Sequence, residues 1–213
     1  MEEKEIKEET VTVQDQPKEE HKTKLNQEIK SLTFTGILIA LMFAFAWTVL
    51  GFIPLGFVSP TTVFLPVAVG ICCIGKKRYG IALGIAFGIC SWIRSFAPAS
   101  VLDPYFQNPL VSVLPRALMG LVVVFLYAII KKFVKNTIAR GAIVGALVPL
   151  FNTIFTMTLL LIFHYADITA LLEGTSVAKW LFGSVVLLNM LPEMALGIIV
   201  TSVVSKTIEK IEF

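Results

Sequence analysis

The sequence predicts an all-α membrane protein with six transmembrane helices and both termini on the cytoplasmic side. Three observations carry that prediction. Of 213 residues, 56% are hydrophobic and 15% charged, where a soluble domain carries about 25% charged residues. The apolar residues collect into six segments on the scale of a hydrocarbon core of about 30 Å, with polar stretches between them. Fifteen of the eighteen Lys and Arg residues fall on the side that holds both termini, the excess expected of cytoplasmic loops. The net charge of +3 gives no footprint for nucleic acid.

Residues 1–30 form a polar tail rich in Glu and Lys, without aromatic residues. Such a composition buries no core and predicts disorder, with Lys18–Lys30 able to form a surface helix. A hydrophilic start also predicts no cleavable signal peptide. The membrane domain is expected over residues 31–206, with a short cytoplasmic tail at 207–213. Its first segment, Leu32–Ile53, carries Gly36, Ala40 and Ala44 four residues apart on one face. Small residues at that spacing admit close approach of another helix, inside the same bundle or in another subunit.

A Pro- and Gly-rich turn, Pro54–Pro60, follows. Segment two, Thr61–Gly75, is short and contains Pro66, which predicts a tilted, kinked or broken helix; Lys76, Lys77 and Arg78 stop it. Segment three, Tyr79–Phe96, has Gly80, Gly84 and Gly88 as a packing face and Arg94 near its far end. A loop over Ala97–Asn108 leads to segment four, Pro109–Ile130, which begins after Asn108 and holds Pro115 and Arg116 about two turns inside. Segment five, Gly141–Phe163, contains Asn152, Thr153 and Thr156. A polar connection, His164–Ala178, precedes segment six, Lys179–Val204, with Asn189, Pro192 and Glu193. Trp47, Trp92 and Trp180 are expected at the outer interface.

The intramembrane polar groups define the candidate site. An arginine at the bilayer centre costs roughly 2.5–3.5 kcal/mol on insertion scales and is retained where it faces a cavity or a partner. Asn152 and Thr156 share a helix face, as do Asn189 and Glu193, each pair being four residues apart. With Arg94, Asn108 and Arg116 they outline a polar cavity open to the outside. The competing interpretation is structural: Asn and Thr bonding helix to helix, Arg116 pairing with Glu193, and Arg94 reaching the interface.

Other chemistry finds little support. Cys72, Cys73 and Cys90 lie in apolar segments without metal-ligand spacing and read as small hydrophobes. There is no HExxH, GxSxG or P-loop, so neither an enzyme nor an ATPase is expected, and no cofactor is assigned to this chain. A secondary transporter would have Glu193 as its membrane carboxylate for proton coupling, but inverted repeats are not evident.

The residues also resemble a family. Six spans, Ala40 and Ala44 as an AxxxA motif, PLVSVLPRALMG at Pro109–Gly120, the Asn-containing segment five and NMLPE at Asn189–Glu193 are similar to the S component of an energy-coupling factor (ECF) vitamin transporter, over about Lys30–Lys206. The resemblance implies a bacterial plasma-membrane protein that binds a vitamin from outside under its first loop. It implies docking through Gly36, Ala40 and Ala44 onto a transmembrane T component with two ATPases, which use the ATP, and release of the ligand inside as the S component topples. It implies ligand contacts from Arg94, Asn108, Arg116, Asn152, Thr156, Asn189 and Glu193. Two arginines suit an anion, since guanidinium pairs with carboxylate through paired bonds. Pantothenate is favoured on that ground; folate, riboflavin, a cobalamin and a pyrimidine precursor stay open.

Overall fold

The structure, a computed structural model, describes residues 2–48, 51, 60–98, 100–209 and 211, with side chains from residue 23 onward. Its helices are α1 (Glu2–Ala46), α2 (Leu65–Ile74), α3 (Lys77–Ser95), α4 (Pro109–Phe133), α5 (Thr137–Leu171) and α6 (Val177–Thr207), with a 3-10 turn at Asp103–Gln107 before α4. They fall on the six expected apolar segments. Four are long and apolar enough to cross a membrane: α1 over Thr23–Ala46, α4, α5 and α6. Helix α2 is apolar but has only 10 residues.

Several boundaries differ from expectation. The polar tail continues α1 as helical backbone from Glu2. Pro66 stands in the first turn of α2, where its missing N–H is not needed, so it starts that helix rather than kinking it. The expected connection at His164–Ala178 is helical as far as Leu171, with one break at His164 (φ −132°, ψ 28°). The turn expected at residues 54–60 lies, except for Pro60, outside the described residues, as does the expected end of segment one at Ile53.

Helix α6 changes winding along its length, from α over Val177–Trp180, to π over Leu181–Met190, to α again from Leu191. The return to α begins just before Pro192, which has no N–H to continue the ladder. Such widened turns are frequent at functional sites, and this one leads into Glu193.

In lipid, helices gain little by hiding apolar surface from one another, so close packing decides their contacts. The two most extensive interfaces, α3 on α4 and α5 on α6, are both built on facing glycines. A methyl at Gly84 would stand 2.6 Å from the Arg116 carbonyl oxygen, and one at Gly145 would stand 2.1 Å from that of Gly197. The expected packing face of α3 is therefore used internally. The Gly36, Ala40 and Ala44 face of α1 is exposed, and a methyl at Gly36 would meet nothing within 4 Å.

Two apolar clusters form the interior. The larger joins α1 to α5 around Met42, Phe64, Ile71, Leu83, Phe87, Met119 and Val123. The smaller gathers Leu102, Val111, Leu160, Ile168, Trp180 and Val185. Trp180 is 4% exposed; it packs inside this cluster instead of standing in an interfacial belt. At the opposite end, Glu28 holds α1 against the start of α3. It accepts from Lys76 Nζ at 3.0 Å and Tyr79 OH at 3.1 Å and pairs with Arg78.

Candidate functional site

A cavity opens between the two clusters. Phe87 from the larger and Leu102 and Val185 from the smaller line it, together with Phe106 and Met157. Helical spacing supplies the polar walls. Helix α3 presents Ser91, Arg94 and Ser95; α4 presents Arg116; α5 presents Asn152, Thr153 and Thr156; α6 presents Asn189 and Glu193. Thr61, ahead of α2, and Ser100 and Asp103, ahead of α4, complete the lining. The space between these side chains, counted together with the open solvent at its mouth, is about 820 Å³.

Arg116 owes its place to the residue before it. Pro115 stands inside α4 and has no N–H, so the Val111 carbonyl loses its helical donor. Arg116 Nη1 donates to that oxygen at 2.9 Å and to the Ser112 carbonyl at 3.1 Å. The rings of Phe106 and Phe87 lie 5.1 and 5.7 Å from the guanidinium carbon, within reach of cation–π attraction. The side chain is thus held by backbone and aromatic faces, and Nε is buried without a protein partner.

Glu193 lies across the cavity and is 2% exposed. One oxygen, Oε1, accepts the Thr61 backbone N–H at 2.6 Å, while Oε2 is buried without a partner. Arg116 and Glu193 make no ion pair within 4 Å, so the structural pairing weighed from the sequence is not formed. Asn152 Oδ1, Thr153 Oγ1 and Thr156 Oγ1 are likewise buried and unpartnered within the protein. Leaving a buried polar group unmatched costs about 1–3 kcal/mol, and five such atoms with unmet hydrogen-bonding capacity gather around this one cavity.

The mouth is tied down locally. Trp92 Nε1 donates to the Gln107 carbonyl at 2.9 Å, Ser112 Oγ to the Phe106 carbonyl at 2.6 Å, and Asp103 accepts from the Ser100 hydroxyl at 2.7 Å and from its amide at 2.9 Å. Arg94 donates to the Ala97 carbonyl. Among the described residues, no group of His, Cys, Asp and Glu is placed to hold a metal ion.

Six of the seven residues singled out as ligand contacts line this cavity: Arg94, Arg116, Asn152, Thr156, Asn189 and Glu193. Asn108 does not. Its side chain accepts the Leu110 N–H at 3.0 Å and caps the N-terminus of α4, the role to which an Asn before a helix-opening Pro is suited. Sequence reasoning missed Ser91 and Ser95, which share an α3 face with Phe87, and Thr61, whose amide reaches Glu193. The four-residue spacing of 87, 91 and 95 was a usable signal; the Thr61 contact, 132 positions away in sequence, left none.

Comparison with known proteins places the chain in a family. The family model for "ECF transporter, substrate-specific component" matches residues 30–208. The chain belongs to that family. The "Pantothenate transporter PanT" of Leuconostoc mesenteroides subsp. mesenteroides is 28% identical over 190 residues, which are 83% of this chain and 89% of that protein. The matched region of this substrate-specific component begins at the membrane end of the polar tail and takes in all six helical runs from residue 30 onward. Its family is a substrate-binding transporter component, not an enzyme.

Proposed function

We propose that this chain is the vitamin-capturing subunit of an ATP-driven ECF importer and that its ligand is pantothenate. The chain crosses the membrane six times, the second time through residues 60–64 and the short α2 together; both termini face the cytoplasm, and the cavity opens outward. The Lys and Arg asymmetry supports that orientation.

The observation that carries the ligand assignment is Arg116, 6% exposed with an unpartnered Nε, in a cavity whose other orphaned groups are amide, hydroxyl and carboxylate oxygens. A guanidinium there matches a carboxylate. The oxygens of Asn152, Thr153, Thr156 and Glu193 match the hydroxyl and amide donors of pantothenate. Glu193 Oε2 accepts a ligand hydroxyl, which gives a carboxylate a place beside an anionic ligand. The name of the Leuconostoc relative points to the same ligand.

The exposed Gly36, Ala40 and Ala44 face docks on the T component, which carries two ATPases. Uptake of labelled pantothenate separates this reading from a self-sufficient transporter. Cells expressing the chain with a T component and active ATPases accumulate label, and cells with ATPases unable to hydrolyse ATP do not. Accumulation by the chain alone contradicts the proposal.

A further inference from the structure

We propose that Pro115 is a positioning residue for ligand recognition: it leaves the Val111 carbonyl to Arg116 Nη1 and so sets the Nε and Nη2 edge of the guanidinium towards the carboxylate of the ligand. The ligand half of this inference rests on the pantothenate reading above; the positioning half does not.

A guanidinium has five N–H groups in one plane, and its edges are suited to paired bonds with a carboxylate. Among the described residues, the hydrogen bonds of Arg116 run through Nη1 alone, to Val111 and Ser112 at 2.9 and 3.1 Å. The edge made by Nε and Nη2 remains for the ligand, and Nε is buried and unpartnered. Phe106 and Phe87 flank the group and narrow its freedom further.

The Val111 oxygen has no competing ladder donor because residue 115 is proline. With any other residue, the amide at 115 would take the Val111 carbonyl, four positions earlier, into the helix ladder. Nη1 would then share the better of its two acceptors with a ladder donor, as it shares the Ser112 carbonyl with the Arg116 amide, and the long side chain would be held less firmly. A proline inside a helix is normally unfavourable. Here it leaves the acceptor that orients the arginine without a competing donor.

The test compares wild type with Pro115→Ala in detergent. Alanine favours the helix, so the variant should melt at the same temperature or higher. Arg116 is followed directly by side-chain 15N NMR; the sequence has only four arginines, Arg78, Arg94, Arg116 and Arg140, and Arg116→Lys identifies the signal. The expected result is faster rotation about the Cζ–Nη1 bond in Pro115→Ala. Binding is read as the preference for pantothenate over pantothenol, the alcohol in which the carboxylate is reduced to CH2OH. A charge-assisted pair supports a preference on the order of tenfold to a hundredfold, and Pro115→Ala should remove most of it while leaving pantothenol affinity in place. An unchanged Arg116 signal overturns the positioning role. A freed Arg116 with an unchanged preference overturns the carboxylate assignment. If wild type binds neither compound, the pantothenate reading falls, and the NMR comparison alone upholds or overturns the positioning.

Discussion

Glu193 Oε1 accepts the backbone N–H of Thr61 at 2.6 Å. One bond thereby ties the approach to α2 to the point where α6 returns from π to α winding. Thr61 Oγ1 in turn donates to the Gly51 carbonyl at 2.7 Å, so the tie reaches back to a residue shortly after α1. Glu193→Ala should lower stability by about 1–3 kcal/mol, because it leaves a buried amide without an acceptor. Glu193→Gln keeps a carbonyl oxygen at that place and should melt closer to wild type. Melting curves in detergent check this, and equal losses in the two variants would show that the Thr61 bond is not what the side chain contributes.

Arg116 is bonded to the α4 backbone and is the residue proposed to take the ligand carboxylate, and two substitutions separate the roles. Arg116→Ala removes the donor to Val111 along with the charge. It should abolish measurable pantothenate binding at a stability cost of about 1–3 kcal/mol. Arg116→Lys keeps a charge but not the planar fork, and should bind at least about tenfold more weakly than wild type, since a bidentate pair exceeds a single point contact. Isothermal titration on samples shown to be folded checks both. Wild-type affinity in Arg116→Ala would remove the residue from the site.

The glycines divide by where they face. Gly84→Leu should prevent folding or destabilise the bundle severely, because even a methyl there would stand 2.6 Å from backbone on α4. Gly36→Leu meets open space and should leave folding and vitamin binding unchanged while blocking co-purification with the T component. Normal assembly of Gly36→Leu would place the docking face elsewhere.

Asn108→Ala is the control for the cavity. Loss of an N-cap costs about 1 kcal/mol, so the variant should melt lower and bind vitamin as wild type does. A drop in affinity beyond the change in stability would return Asn108 to the ligand.

Residue chemistry explains which of these features were legible in the sequence. Arg116, Glu193 and Asn152 announce themselves because polar groups in apolar segments need a reason, and they do meet at one cavity. The helices were legible as apolar runs, and the α3 glycines as a packing face. Asn108 was ambiguous because a polar residue beside a span reads equally well as a ligand contact or a cap; its bond to Leu110 makes it the cap of α4, outside the cavity lining. Trp180 misled because position in a segment says nothing about which way a ring turns. The Thr61 bond was invisible, since it joins a backbone amide to a side chain on a distant helix. The helix that persists to Leu171 was hidden behind His164 and Asp167, whose side chains pair at 3.2 Å within a segment that composition marks as a loop.

Equilibrium binding decides which vitamin the cavity takes. Purified protein in detergent, without a T component or ATPases, is titrated with pantothenate, folate, riboflavin, a cobalamin and a pyrimidine precursor. Tight, saturable binding of pantothenate and of none of the others is expected. Binding of a different vitamin, or of none by a folded sample, would contradict the pantothenate assignment.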